Sequence, residues 1–188
     1  MIREQIIKEL VKGKDVLDIG SFGQTDSYSL WNMYPDFEVR SLTGIDIEGL
    51  TFENQKLFRT KAPNTSYQIV TGNMETYSFN RQFDVIVAGD VIEHVENQGL
   101  FLLNIKRHLR EDGKFILTTP NAKWPTVFLK PNPTHTLWHD IYTLERILSL
   151  TGFKIDYYRY YFGNKKRYNT LQKLLTIRQS IIIVASIR

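Results

Sequence analysis

The run Phe83-Asp84-Val85-Ile86-Val87-Ala88 is almost wholly apolar and rich in β-branched side chains. A strand with one wet face alternates polar and apolar residues. A run of this kind therefore belongs to a strand covered on both faces, as inside a parallel sheet sandwiched by helices. Six further segments of strand length accompany it: Lys14–Ile19, Leu42–Asp46, Ser66–Thr71, Lys114–Thr119, Lys154–Tyr161 and Ser180–Ser186. Between them the apolar period becomes helical. Ile2, Ile6 and Leu10, with Ile7 and Val11 beside them, predict an opening amphipathic helix that Gly13 ends. Further helices are predicted at Thr25–Met33, stopped by Pro35, and at Phe52–Arg59. Another runs through Leu102, Ile105 and Leu109 to a stop near Gly113, and a last one holds Leu144, Ile147 and Leu148, with Gly152 as its C-terminal glycine. This alternation implies a three-layer, doubly wound α/β fold with a mainly parallel sheet of seven strands. The last two strands lack an apolar crossover helix between them, so they are expected to pair as an antiparallel edge. No repeat, linker or low-complexity tract divides the chain, and residues 1–188 read as one domain.

Composition excludes several classes of function. The chain has no cysteine, which removes disulfides, cysteine nucleophiles and thiolate metal sites. Its 42% hydrophobic and 23% charged content is that of a folded globular protein. No apolar run reaches the length of a membrane span, and MIREQIIKELVKGK lacks a signal-peptide core, so a cytoplasmic location is the expectation. The net charge of +4 is uneven: from Phe153 to Arg188 eight Lys/Arg stand against Asp156 alone, +7 in all, which leaves −3 for the rest. This basic end reads as a solvated face, with a surface for a phosphate-bearing substrate, nucleic acid or an anionic membrane as the sharper alternative.

In open α/β sheets, ligands bind beyond the carboxyl ends of the strands, near the point where strand order reverses. Val16-Leu17-Asp18-Ile19-Gly20-Ser21-Phe22-Gly23 has the form of a buried strand ending in a tight turn at a ligand, with glycine letting the backbone approach it closely. Asp18, Gly20, Ser21 and Gly23 follow the first strand, Asp46 and Ile47 the second, Asn73 and Met74 the third, and Gly89, Asp90 and Val91 the fourth. An ionised Asp46 can accept hydrogen bonds from a pair of ribose hydroxyls. Asn73 can accept one from an adenine amino group, and Met74 and Val91 can pack on the ring faces. Each residue alone is ordinary turn chemistry. Four turns with matching groups point to a nucleoside-bearing ligand. A dinucleotide is disfavoured, because GSFGQTD does not match G-x-G-x-x-G.

VLDIGSFG, GIDIEG, GNMETYSF, FDVIVAGDVIEHVEN and LREDGKFILTTPN, in this order and spacing, resemble the successive motifs of class I S-adenosylmethionine-dependent methyltransferases. DVIEHV with TTPN resembles the ubiquinone-type O-methyltransferases and related small-molecule and sugar methyltransferases. The likeness spans residues 14–155 and implies a Rossmann-like sheet with S-adenosyl-L-methionine as cofactor. It further implies Asp18 and Gly20 by the methionine end, Asp46 on the ribose hydroxyls, and Asn73-Met74 flanking adenine. Two positions depart from the family pattern: Phe22 stands where a second loop glycine is expected, with Gly23 one later, and Asn73 replaces the adenine-side acid. The expected reaction is methyl transfer to an oxygen of a small or glycan-like acceptor, with nucleic acid a less favoured partner.

Transfer from a sulfonium asks the protein for alignment and exclusion of water, and an oxygen nucleophile also needs a base. His94, His135 and His139 fall near the expected rim and are the base candidates, whereas His108, in a last helical turn, reads as structural. Asp90-x-x-Glu93 has the spacing of a capping box at a helix start. The same residues, with His94 and a later histidine, could instead hold a divalent ion, and metal-dependent 2′-O-methyltransferases of small RNAs have a similar acid-x-x-Glu-His arrangement. Capping is the preferred reading and no metal is expected. A metal-assisted RNA 2′-O-methyltransferase is the alternative, as is a non-catalytic module that binds nucleic acid or partners through the basic end. Pro120–Asp140, with Trp124, Phe128 and Trp138, is expected to be an irregular loop that walls the substrate together with Gly163–Gln179.

Overall fold

β4 (Phe83–Gly89) lies fourth of seven in the sheet, where its nearly continuous apolar run requires it to be. The computed structural model describes residues 2–21, 30, 33–48, 65–129, 132–161 and 179–188. Gly23, the expected helix Phe52–Arg59, most of Thr25–Met33, the Phe128 side chain and the basic stretch 163–178 lie outside them. The other strands are β1 (Asp15–Ile19), β2 (Ser41–Asp46), β3 (Ser66–Thr71), β5 (Leu109–Pro120), β6 (Phe153–Tyr161) and β7 (Ser180–Ile187). The described helices are α1 (Ile2–Val11), α2 (Gln98–His108), α3 (Pro125–Leu129) and α4 (Ile141–Leu150), with a short 3-10 turn at Tyr34–Phe37.

The order β3-β2-β1-β4-β5-β7-β6 is the doubly wound one expected. Strands β1 to β5 pair in parallel, and β7 runs antiparallel to both β5 and β6. Strand order reverses between β1 and β4, which pair directly through Leu17↔Ile86. The carboxyl edge of that pair is where such a sheet leaves a crevice.

Side-chain alternation sorts the core into two layers. Leu17, Ile19, Ile86 and Ala88 face α2 and α4, packing on Phe101, Leu102, Ile105, Leu144 and Leu148. Val16, Val85, Val87 and Ile116 face the opposite way, toward Ile7 and Val11 of α1 and the Tyr34–Phe37 turn. A fully buried side chain of this size contributes roughly 1.5–3 kcal/mol. At the amino end of the sheet, Asp15 and Asp84 share the Arg40 guanidinium at 2.6 Å each. Hydrogen bonding from Arg40 holds the Asp15 carboxyl down at about 2.

Four sequence expectations need refinement or correction. First, the opening amphipathic helix forms as α1, but its most buried residues are Arg3, Ile7 and Val11, while Ile2, Ile6 and Leu10 pack at its flank. Second, α2 stops at His108, because Leu109 turns extended to pair with Phe83 and bury its side chain. Third, Pro120–Asp140 is not wholly irregular, since it contains α3. Fourth, Asp90-x-x-Glu93 is not a capping box. The helix begins only at Gln98, and Asn97 caps it by accepting from the Leu100 N–H at 3.0 Å. Asp140 and Thr143 form the capping box of α4 instead, with bonds of 2.8 and 3.0 Å.

Candidate functional site

At the carboxyl ends of β1 and β4 the chain buries charge. Asp18, 1% exposed, receives the Tyr34 hydroxyl on Oδ1 at 3.0 Å and the Ser21 hydroxyl on Oδ2. Burial pushes its carboxyl up to about 7, and those two bonds and the Arg3 guanidinium only partly oppose this. Asp18 to Ser21, with Leu30 and Gly89, line a small crevice. Gly20 turns there at φ +73°, and a Cβ on it would meet Val91 Cγ2 at 2.4 Å. The Asp90-Val91 turn is thus closed directly over the first-strand glycine.

Asp90 is held in the left-handed region at φ 57°. Its N–H donates to the Thr118 carbonyl at 3.0 Å, and Arg3 Nη1 lies 3.4 Å from its Oδ2. Burial raises the Asp90 carboxyl, with Arg3 the largest opposing influence. Tyr161, at the end of β6, completes this group; burial and then the Asp90 carboxylate push its hydroxyl up, and Arg3 and Thr118 oppose them.

The neighbouring strand ends carry the other expected residues. Asp46 is buried, and its Oδ1 accepts from the Glu48 N–H at 3.1 Å. Ile47 beside it is 71% exposed. Asn73 Oδ1 accepts from the Glu75 N–H at 2.8 Å, which is turn chemistry, and Met74 packs into the core at 4% exposure.

On the other side of the Asp90 turn lie Glu93, His94 and His135, each offering an atom within 4.8 Å of the others. Glu93 is 1% exposed; Oε2 accepts from the Thr119 hydroxyl at 2.9 Å, and Oε1 is buried with no partner. Burial, reinforced by Asp90, pushes this carboxyl up to about 8. His94 Nδ1 donates to the Thr134 carbonyl at 3.0 Å, which leaves Nε2 as its acceptor nitrogen. The His135 ring meets the His94 ring edge-on at 4.7 Å, and Trp138 stands 6.3 Å from His135. Burial, then His94, keep the His135 imidazole below its ordinary range.

His139 is separate from this pair. It is 5% exposed, with Nε2 at 2.7 Å from the Gln98 amide nitrogen, so it ties the loop to the start of α2. His108 is structural as expected, accepting the Phe79 N–H on Nε2 at 2.9 Å and donating from Nδ1 to the Asn104 carbonyl at 2.8 Å. A groove of about 400 Å3 between α1 and the β6–β7 edge, lined by Ile2, Ile6, Leu10, Tyr157, Arg159 and Val184, contains none of these groups.

Sequence reasoning missed Arg3, Tyr34, Thr118, Thr119 and Tyr161. Arg3 did leave a signal: it occupies the buried stripe of α1, one turn before Ile7, where a charge has to find a buried partner.

The methyltransferase domain family model matches residues 2–158. The ubiquinone biosynthesis O-methyltransferase of Schizosaccharomyces pombe is 28% identical over 109 residues, covering 57% of this chain and 38% of that protein. The Rickettsia canadensis protein of the same name is 30% identical over 81 residues, covering 43% of this chain and 34% of its own length. The chain therefore spans little more than a third of these relatives. Among solved structures, an S-adenosylmethionine-dependent methyltransferase from Mesorhizobium loti superposes with a TM-score of 0.71 at 14% identity, covering 97% of this chain and 95% of that one. Magnesium protoporphyrin IX methyltransferase from Synechocystis, solved with bound SAH, gives 0.68 at 18% identity over 97% and 78%. These likenesses carry the fold, and the family match adds that the chain belongs to the methyltransferase domain family.

Proposed function

We propose that residues 1–188 form one methyltransferase domain that transfers the methyl group of S-adenosylmethionine to an oxygen of a small or glycan-like acceptor. The observation that carries this reading is the convergence, at the strand-order reversal between β1 and β4, of a buried acid and glycine turn with a histidine pair immediately beyond it. Asp18, Gly20 and Ser21 take the methionine end, where Asp90 attracts its cationic groups and Arg3 its carboxylate. Asp46 accepts the ribose hydroxyls. Ile47, exposed beside Asp46, and Val91 pack on adenine, and Asn73 and Met74 shape the turn at its edge. Acceptors bind against the His94, His135 and Trp138 side.

An acceptor hydroxyl held in line with the methyl group has to lose its proton during transfer. One base takes that proton: His135, whose imidazole is neutral at neutral pH, with His94 beside it presenting Nε2 toward the site. His139 keeps the loop in place. Turnover of S-adenosylmethionine with a panel of hydroxylated aromatics and glycosides, read as S-adenosylhomocysteine formed, tests the assignment. With a responsive acceptor, the rate should climb along a single limb lying below the ordinary histidine value of about 6.5 and be flat above it. It should also survive exhaustive chelation. An absence of product with every acceptor class would count against an O-methyltransferase.

One observation favours a second reading. The orphaned Glu93 Oε1 and the gathering of Glu93, His94 and His135 donor atoms within 4.8 Å fit the mixed oxygen and nitrogen donor set of a divalent ion such as magnesium or manganese. Glu93, His94 and His135 would hold it, and it would lower the pKa of a bound hydroxyl. Activity abolished by chelator and restored by manganese would select this reading over the metal-free base.

A further inference from the structure

Thr118 and Thr119 are neighbours on β5 and almost wholly buried, at 0% and 1% exposure. Successive side chains on a strand point to opposite faces, so their hydroxyls must serve opposite sides of the sheet. Thr118 Oγ1 donates to Asp90 Oδ1 at 3.2 Å and accepts from the Asp90 N–H at 3.1 Å. It thereby clamps both ends of a residue that sits in the left-handed region at φ 57°, a conformation that side-chain bonding helps an aspartate to hold. Thr119 Oγ1 goes the other way, to Glu93 Oε2 at 2.9 Å. The two acids of Asp90-x-x-Glu93 are thus set by adjacent threonines from opposite faces. Arg3 and Tyr161, which act on Asp90 beside the first-strand turn, lie on the Thr118 side, whereas His94 and His135 reach it from the Glu93 side.

We propose that Thr118 is a positioning residue for cofactor binding, acting through Asp90, and that Thr119 has no part in that binding. The inference rests on the cofactor assignment above. Failure of the wild-type protein to bind S-adenosylhomocysteine would remove that assignment before any variant is read.

The test is calorimetric titration of S-adenosylhomocysteine into wild type, Thr118→Val, Thr118→Ser, Thr119→Val, Asp90→Asn and the Thr118→Val/Asp90→Asn double variant, with melting curves to establish folding. Valine keeps the shape of threonine and removes its hydroxyl, and should weaken binding about tenfold, the scale of one hydrogen bond to a charged group. Serine restores the hydroxyl and should return affinity to within about threefold of wild type. Thr119→Val should stay within about twofold, and on the Asp90→Asn background Thr118→Val should add less than about twofold. Should Thr118→Val not fold, Thr118→Ala takes its place in the same cycle. Unchanged affinity without the Thr118 hydroxyl, a serine variant as weak as valine, an equal loss from Thr119→Val, or a full additional loss on the Asp90→Asn background would each overturn the proposal.

Discussion

Gly20→Ala should cost about 2–5 kcal/mol of stability and take S-adenosylhomocysteine binding with it. A non-glycine residue in the left-handed region costs about 1–2 kcal/mol, and forcing atoms into a filled site typically adds about 1–3. Both penalties apply here, because Gly20 has φ +73° and its Cβ would stand 2.4 Å from Val91 Cγ2. Gly13 separates the two contributions. It has φ +68°, but a Cβ added there would meet nothing within 4 Å, so Gly13→Ala should show the conformational cost alone. Adding Val91→Ala to Gly20→Ala should recover the steric part and leave the conformational part. Equal destabilisation at Gly13 and Gly20 would mean that the close approach of Val91 is not what requires glycine. Binding is lost through the turn itself, which hydrogen-bonds Gly20 N–H to the Ile45 carbonyl at 2.9 Å and sets the backbone against the ligand.

The second large effect runs opposite to ordinary intuition about keeping a charge. Asp18→Asn should stabilise the ligand-free protein at pH 8, while weakening its hold on cofactor. The folded-state pKa of Asp18 is raised from 3.8 to about 7, so the folded form holds a proton that the unfolded chain releases. That contribution is fully present below about pH 4, fades as pH rises, and is gone above about pH 7. With roughly 1.4 kcal/mol for each unit, and an opposing group in Arg3, the loss is about 2–4 kcal/mol. Asparagine carries no charge to desolvate and can keep both partners, accepting from Tyr34 and donating to Ser21. Denaturation followed from pH 4 to pH 9 should therefore slope downward more steeply in wild type than in Asp18→Asn. Parallel curves would show that Asp18 ionises without cost in its site. A buried acid retained at such a cost is what a site built to receive a cationic ligand requires.

Much of the fold was legible because burial on both faces and the change between strand and helix periods are written directly in residue order. Phe83–Ala88 reads as a central strand, and it is one. The end of α2 was not legible in the same way. Leu109 is apolar whether it continues a helix or begins a strand, and only its pairing with Phe83 decides between them. Asp90 and Glu93 misled for a related reason: the capping spacing is local, whereas their partners, Thr118 and Thr119, come from a distant strand. Those two threonines were nevertheless readable in principle, since strand parity alone sends their hydroxyls to opposite faces. The histidines were harder. His135 and His139 lie in one loop, and nothing in their spacing says that one meets His94 edge-on while the other is locked to Gln98. Arg3 stands between these cases, marked by its place in an apolar stripe but given a purpose only by Asp90 and Tyr161.

The cofactor is expected to lie across the carboxyl ends of β1, β2 and β4, with Asp46 on its ribose, and everything proposed for the site depends on that placement. Calorimetric titration of S-adenosylhomocysteine into wild type and Asp46→Ala tests it most directly. The expected result is one-to-one binding by wild type and at least about tenfold weaker binding by Asp46→Ala, as befits hydrogen bonds to a carboxylate worth about 1.5–3 kcal/mol. The variant should remain folded by its melting curve. No binding by the wild-type protein, or undiminished binding by a folded Asp46→Ala, would contradict it.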